Sequence, residues 1–134
     1  MDGKIIGFVP ARGGSKSILQ KNLQVVGGKP LVVRAIETLR AVEEVEQVYL
    51  STDSPCIAEV GEKAGAIVPF LRPKELASDE SPVLEALHYT LVLLEKNGGP
   101  VDWIVMVQPT SPFVKPQTVS SVLKHAIRLS LIHI

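Results

Sequence analysis

A chain of 134 residues has the size of one domain and is long enough to bury a core. With 46% hydrophobic and 21% charged residues it is globular rather than disordered. Fourteen Lys and Arg residues balance fourteen Asp and Glu, so the basic excess that nucleic-acid binding needs is absent. A phosphate-bearing ligand would have to be small and bound locally.

Cys56 is the single cysteine, which excludes an internal disulfide and a zinc site built from several cysteines. A reducing compartment and a buried free thiol are expected. The N-terminus offers one lysine and a short apolar run, unlike a signal peptide, and no run approaches the ~20 apolar residues of a membrane span. The expectation is a soluble, cytoplasmic protein.

Residues 4–9 read as a buried strand, short and continuously apolar, stopped by Pro10. A loop follows with two adjacent glycines and the cations Arg12, Lys16 and Lys21. Apolar strand, glycine-containing basic loop and helix is the order in which α/β proteins present backbone N–H groups to phosphate. Gly27-Gly28-Lys29-Pro30 is a turn signal, with Pro30 suited to a first helical turn. Leu31, Val32, Ala35, Ile36, Leu39 and Val42 then recur at helical spacing.

Residues 47–51 predict a second strand, and Ser54-Pro55 caps a helix with Ile57, Val60 and Ala64 inward, ending at Gly65. Residues 66–68 predict a brief third strand, and 69–80 a structured loop with two prolines. Ser81-Pro82 starts a helix with Val83, Leu84, Leu87, Leu91 and Leu94 on its core face, closing at Asn97-Gly98-Gly99. Residues 102–107 predict a fourth strand. After the QPTSP loop, a last helix begins near Pro116 with Val119, Val122, Leu123, Ala126 and Ile127 inward.

Strands alternating with helices predict an α/β fold: a three-layer, doubly wound, mostly parallel sheet with helices on both faces. Ligands on such sheets bind beyond the carboxyl ends of the strands, where the strand order reverses. The loops at 10–22, 52–54 and 108–115 should therefore rim one crevice, with 69–80 in reach, while the glycine-rich turn at 97–100 is structural. The fourth strand is apolar enough to need flanking on both sides, yet no partner strand follows it. Together with the apolar tail RLSLIHI, this predicts a C-terminally truncated chain that associates through that strand edge, with 129–134 a non-native tail.

Neither common phosphate motif is present. Ser15 separates Gly14 from Lys16, and Gly28-Lys29 is followed by Pro30, so Walker A fails; the dinucleotide G-x-G-x-x-G is absent too. What PARGGSKSILQKNL does resemble is the signature loop of the sugar-activating cytidylyltransferases, most closely the N-acylneuraminate branch and its bacterial nonulosonate relatives. STD at 51–53, LRPKELASD at 71–79 and QPTSP at 108–112 follow in the expected order, so the resemblance spans residues 4 to about 128. It implies a Rossmann-like nucleotide-diphospho-sugar transferase fold, with residues 1–128 the CTP-binding part of one domain.

The resemblance also implies the reaction: a hydroxyl of a nonulosonic sugar acid attacks the α-phosphate of CTP, giving a CMP-sugar and pyrophosphate. Such transfer needs positive charge on the triphosphate and on the leaving pyrophosphate. Arg12 and Lys21 are the natural suppliers, with Ala11, Gly13, Gly14 and Ser15 in the loop that cradles phosphate oxygens. By the same resemblance Asn22 contacts the ribose or phosphate region, and Arg72, with backbone around Ser81, helps read cytosine in the loop that holds Asp79. Gln108, Thr110 and Ser111 would face the acceptor sugar. Mg²⁺ is the implied cofactor, its aspartate ligands lying outside this chain, and the full-length parent is expected to be a homodimer or homotetramer.

Other residues have plainer readings. Lys16 is a solvated loop charge; Asp53 either binds metal or caps a helix, in competition with Ser54; His88 and His125 are surface residues. Leu19 stands where the family usually has proline, and Phe113-Val114 where Leu-Arg often follows QPTSP. Sister enzymes acting on 3-deoxy-manno-octulosonate, pseudaminic or legionaminic acid, and a non-catalytic nucleotide-binding module, are the alternatives.

Overall fold

The computed structural model describes residues 4–11, 25–26, 28–68, 83–109 and 115–132. Its centre is β1 (Ile5–Pro10), flanked in parallel by β4 (Gln47–Ser51) and β5 (Trp103–Met106). Ile6 pairs with Gln47 and Ile104, and Phe8 with Tyr49 and Met106, so the three strands share one pleat register. The third expected strand contracts to one parallel bridge, Tyr49 to Ile67, on the outer side of β4. The spatial order is thus Ile67, β4, β1, β5: the chain winds outward twice, then crosses back to the far side of β1.

Pleat alternation explains the layers. Ile5 and Val9 of β1, Val48 and Leu50 of β4 and Val107 after β5 join one core with Val32, Ala35, Ile36 and Leu39 of α1 (Leu31–Arg40), Ile57 of α2 (Pro55–Lys63), and Val119 and Leu123 of α4 (Pro116–Ile132). Ile6, Phe8 and Tyr49 face the other way, where α3 (Val83–Gly98) crosses β1 and β4. The expected three-layer, mostly parallel architecture is present.

Local chemistry sets the helix ends. The Ser54 hydroxyl accepts from the Ile57 N–H at 3.3 Å and Pro55 occupies the first helical position. Gly65, at φ +102, closes α2: its N–H donates to the Glu62 carbonyl while the Ala66 N–H reaches back to Gly61, the reciprocal pair of a left-handed cap. Arg40 of α1 donates to the Ala64 carbonyl at that same end, 3.1 Å away. Gly99, at φ +85, terminates α3.

Four sequence expectations change. Pro30 is not inside α1 but caps it with extended backbone, because it pairs with Val25 in a short antiparallel ribbon of β2 (Val25–Val26) and β3 (Lys29–Pro30). Leu87, Leu91 and Leu94 are only half-buried, and the deepest described residue of α3 is Thr90; the Val83 and Leu84 side chains lie outside the described residues. Val122 is 64% exposed, because it stands over the outer edge of β5 rather than over β1. Cys56 is exposed, since the second helical position of α2 points away from the core that Ile57 enters. His88 and His125 are exposed as expected.

One ionic contact ties α4 to the turn after α1. The Glu44 side chain, 9% exposed, accepts from the Ser120 hydroxyl and lies 3.6 Å from the Lys124 ammonium. The Ser120 hydrogen bond, helped by Lys124 and opposed by burial, holds the Glu44 carboxyl below the usual glutamate range. A depressed folded-state pKa contributes stability that is present above the unfolded value and lost as pH falls through the folded one. Acid unfolding of the wild type should therefore steepen below the ordinary glutamate range, and Glu44→Gln should flatten that limb. Superimposable stability profiles of the two proteins across the acid range would refute the contribution.

Candidate active site

All three strands end on one edge, at Pro10, Ser51 and Met106. The Ala11 N–H donates to the Ser51 carbonyl at 2.9 Å, and the Val107 N–H to the Phe8 carbonyl at 3.2 Å. The ladder thus runs one residue past the strands on each side of β1 before the loops depart. Because the strand order reverses between β1 and β5, the crevice beyond their carboxyl ends is the place where an open α/β sheet accepts a ligand.

The expected site residues map onto this edge as follows. Ala11, fully buried, is the base from which the basic loop leaves β1. Gln108 is exposed at the end of β5, followed by buried Pro109. These two stand at the carboxyl ends of neighbouring strands. Arg12, Gly13, Gly14, Ser15, Lys16, Lys21, Asn22, Arg72, Asp79, Ser81, Thr110 and Ser111 lie outside the described residues.

The side of the rim across β1 from β5 is built by the STD segment at the end of β4. Thr52 is fully buried, and its hydroxyl accepts from the Ser54 N–H at 3.1 Å, turning the chain from β4 into α2 within three residues. Ser54 takes the capping role for which Asp53 competed, which leaves Asp53 half-exposed at the rim with polar partners of its own. Motif order alone gives Thr52 no role; a hydroxyl at the last buried position before a capping serine is the signal that marks it.

The opposite edge is structural. The Lys4 N–H donates to the Asp102 carboxylate at 2.6 Å and the Val101 N–H to Glu95 at 3.1 Å, so the turn at 97–100 is fastened to the start of β1.

This arrangement defines a Rossmann-like α/β domain with a switch point between β1 and β5. A family profile described as cytidylyltransferase matches residues 6–128, and the chain belongs to that family of nucleotidyltransferases. It is 36% identical over 126 residues to the CMP-N,N'-diacetyllegionaminic acid synthase of Legionella pneumophila, covering 94% of this chain and 53% of that protein. It is 36% identical over 113 residues to the N-acylneuraminate cytidylyltransferase of Escherichia coli, covering 84% of this chain and 26% of that one. Among solved structures, a CMP:2-keto-3-deoxy-manno-octonic acid synthetase complexed with CTP superposes with a TM-score of 0.74 at 23% identity, covering 91% of this chain and 46% of that one, which shows the shared fold. The chain thus spans about half the length of the legionaminic acid relative and about a quarter of the neuraminate one.

Proposed function

We propose that this chain carries the CTP-binding part, residues 1–128, of a cytidylyltransferase that activates a nonulosonic sugar acid. The observation that carries the reading is the ordered set of four motif blocks, three of which begin at the carboxyl ends of the adjacent strands β1, β4 and β5. A hydroxyl oxygen of the sugar acid forms a bond to the α-phosphorus of CTP and gives up its proton to water, the bond to the bridging oxygen breaks, and pyrophosphate leaves. Arg12 and Lys21 neutralise the triphosphate and the charge that builds on the departing oxygen. Ser15 and the Gly13-Gly14 backbone cradle phosphate oxygens, Asn22 meets the ribose or phosphate region, and Arg72 with the Asp79–Ser81 segment reads cytosine. Gln108, Thr110 and Ser111 face the acceptor.

Mg²⁺ belongs to the proposal as a screen for the triphosphate charge. Among the described residues no three or more His, Cys, Asp or Glu side chains converge; in the proposal the chain's own share of the charge stabilisation falls to Arg12 and Lys21. No described helix is long and apolar enough to cross a membrane; a cytoplasmic location and a homodimeric or homotetrameric full-length protein remain part of the proposal. The relatives' names include legionaminic, neuraminic, pseudaminic and 3-deoxy-manno-octulosonic acid enzymes, so the acceptor is the point of choice.

Calorimetry on this chain should show CTP binding, with ATP bound at least about tenfold more weakly, a difference of about 1.4 kcal/mol. A longer form containing the rest of the catalytic domain should release pyrophosphate when given CTP and one acid from a panel of these four. Equal affinity for ATP and CTP would overturn the base assignment. CTP binding without pyrophosphate release from any acid would favour a nucleotide-binding module.

A further inference from the structure

Among the described residues the chain leaves the carboxyl edge of the sheet at four places, and strand pairing sets their order across it. The Ile67 N–H donates to the Val48 carbonyl and the Ile67 carbonyl accepts from the Leu50 N–H, both at 2.9 Å. Residues 67–68 therefore run parallel to β4 and reach the same edge beside it. The four departures follow in the order Val68, the STD segment after β4, Ala11 after β1 and Gln108 after β5. In the proposed function the segment that starts past Val68 reads the base, and the one that starts past Ala11 holds the triphosphate. Asp53 stands between these two starts.

The hydroxyls on either side of Asp53 are already committed. Thr52 accepts from the Ser54 N–H and Ser54 from the Ile57 N–H, which fixes the backbone before and after the aspartate. What remains at the rim is one half-exposed carboxylate, the only acidic group in residues 50–56. A carboxylate accepts hydrogen bonds and donates none, and next to a polyanion it is repelled unless a neutral donor meets it. In a nucleotide the neutral donors that lie between base and phosphates are the ribose hydroxyls.

We propose that Asp53 is a specificity-determining residue that accepts hydrogen bonds from the ribose hydroxyls of CTP and so selects ribonucleotides over deoxyribonucleotides. The inference rests on the CTP reading and deepens it. Spacing supports it. Neighbouring strands lie about 4.8 Å apart, so two such steps separate the Val68 and Ala11 departures, with the end of β4 midway. Ribose likewise lies midway between a nucleotide's base and its α-phosphate. Open α/β sheets that bind dinucleotides also set a carboxylate against a ribose hydroxyl. Asp53 has polar contacts of its own, and the two oxygens of a carboxylate offer about four acceptor positions, enough for these and for a diol.

Calorimetry on this chain with CTP, 2′-deoxy-CTP and 3′-deoxy-CTP, repeated on Asp53→Ala and Asp53→Asn, tests the assignment. The wild type should bind at least one deoxy analogue about tenfold or more weakly than CTP, the loss expected for a hydrogen bond to a charged group. Asp53→Ala should weaken CTP by a similar factor and bind all three nucleotides within about twofold of one another. Asp53→Asn keeps the shape and one acceptor oxygen, so its discrimination should fall between the two, and it decides the matter if Asp53→Ala fails to fold. Equal affinity of the wild type for all three nucleotides would overturn the ribose assignment and leave the CTP reading intact. So would a loss in both variants shared equally by CTP and its analogues, which is the pattern of a metal ligand or of a residue that only shapes the turn. Tighter binding of all three by the variants would also overturn it, as the mark of a carboxylate that merely repels the triphosphate. A wild type that binds no CTP would overturn the assignment and the CTP reading together.

Discussion

Replacing Lys21 with alanine is expected to abolish nearly all cytidylyl transfer by a protein containing the complete catalytic domain. The reason is charge. In the proposed reaction CTP brings a polyanionic triphosphate to the crevice, and bond breaking moves further negative charge onto the pyrophosphate oxygen. A positioned donor that meets such developing charge in a water-poor site contributes about 3–4 kcal/mol, or roughly 10²–10³-fold in rate. If Lys21 acts mainly in the transition state, kcat and kcat/KM should fall together, and if it only holds the ground state, KM should rise alone. Lys21→Arg retains charge but replaces a compact ammonium with a planar fork, so partial activity is expected. Lys16→Ala serves as the internal contrast: as a solvated loop cation it should change turnover by no more than about threefold, a cost under 1 kcal/mol. Lys21→Ala with wild-type turnover would remove Lys21 from the mechanism while leaving the fold and family membership untouched.

The chemistry of this site is more legible in the sequence than its shape. Residue types and order in the 11–22, 51–53, 71–79 and 108–112 blocks point to a nucleotide triphosphate and then to CTP by resemblance, because cations and glycines next to an apolar strand have few other uses. That two of those blocks begin at neighbouring strand ends on either side of a switch point depends on strand order, which periodicity does not encode; it emerges only from the pairing of β1 with β4 on one side and β5 on the other. Ser54-Pro55 and Gly65 mark the ends of α2 correctly because capping is local. Val122 and Cys56 mislead for the opposite reason. Both have the composition of core residues, but whether they are covered depends on the neighbouring element, α4 overhanging the outer edge of β5 in one case and the second position of α2 facing outward in the other. The two-residue strands around Gly28 escape a sequence reading because so short a ribbon has no period to detect.

Phe8→Ala is expected to be the most destabilising single change among the described residues. Phe8 is wholly buried in the central strand, in register with Tyr49 and Met106, on the sheet face that α3 crosses. Truncating a buried phenylalanine removes its transfer free energy and leaves a cavity, together about 3–5 kcal/mol. Domains of this size hold about 5–15 kcal/mol in total, so the variant should be partly unfolded at physiological temperature. In a thermal melt at fixed protein concentration the midpoint should drop by about 10–20 °C. Val122→Ala, an exposed change on α4, should stay within about 0.5 kcal/mol of wild type. The effect reaches the site as well, since the Phe8 carbonyl accepts the Val107 N–H that leads into Gln108, and Ala11 follows three residues later at the base of the basic loop. CTP binding at a temperature where the variant is still largely folded should therefore weaken more for Phe8→Ala than for Val122→Ala. Equal melting points for the two variants would show that β1 is not the strand on which this core depends.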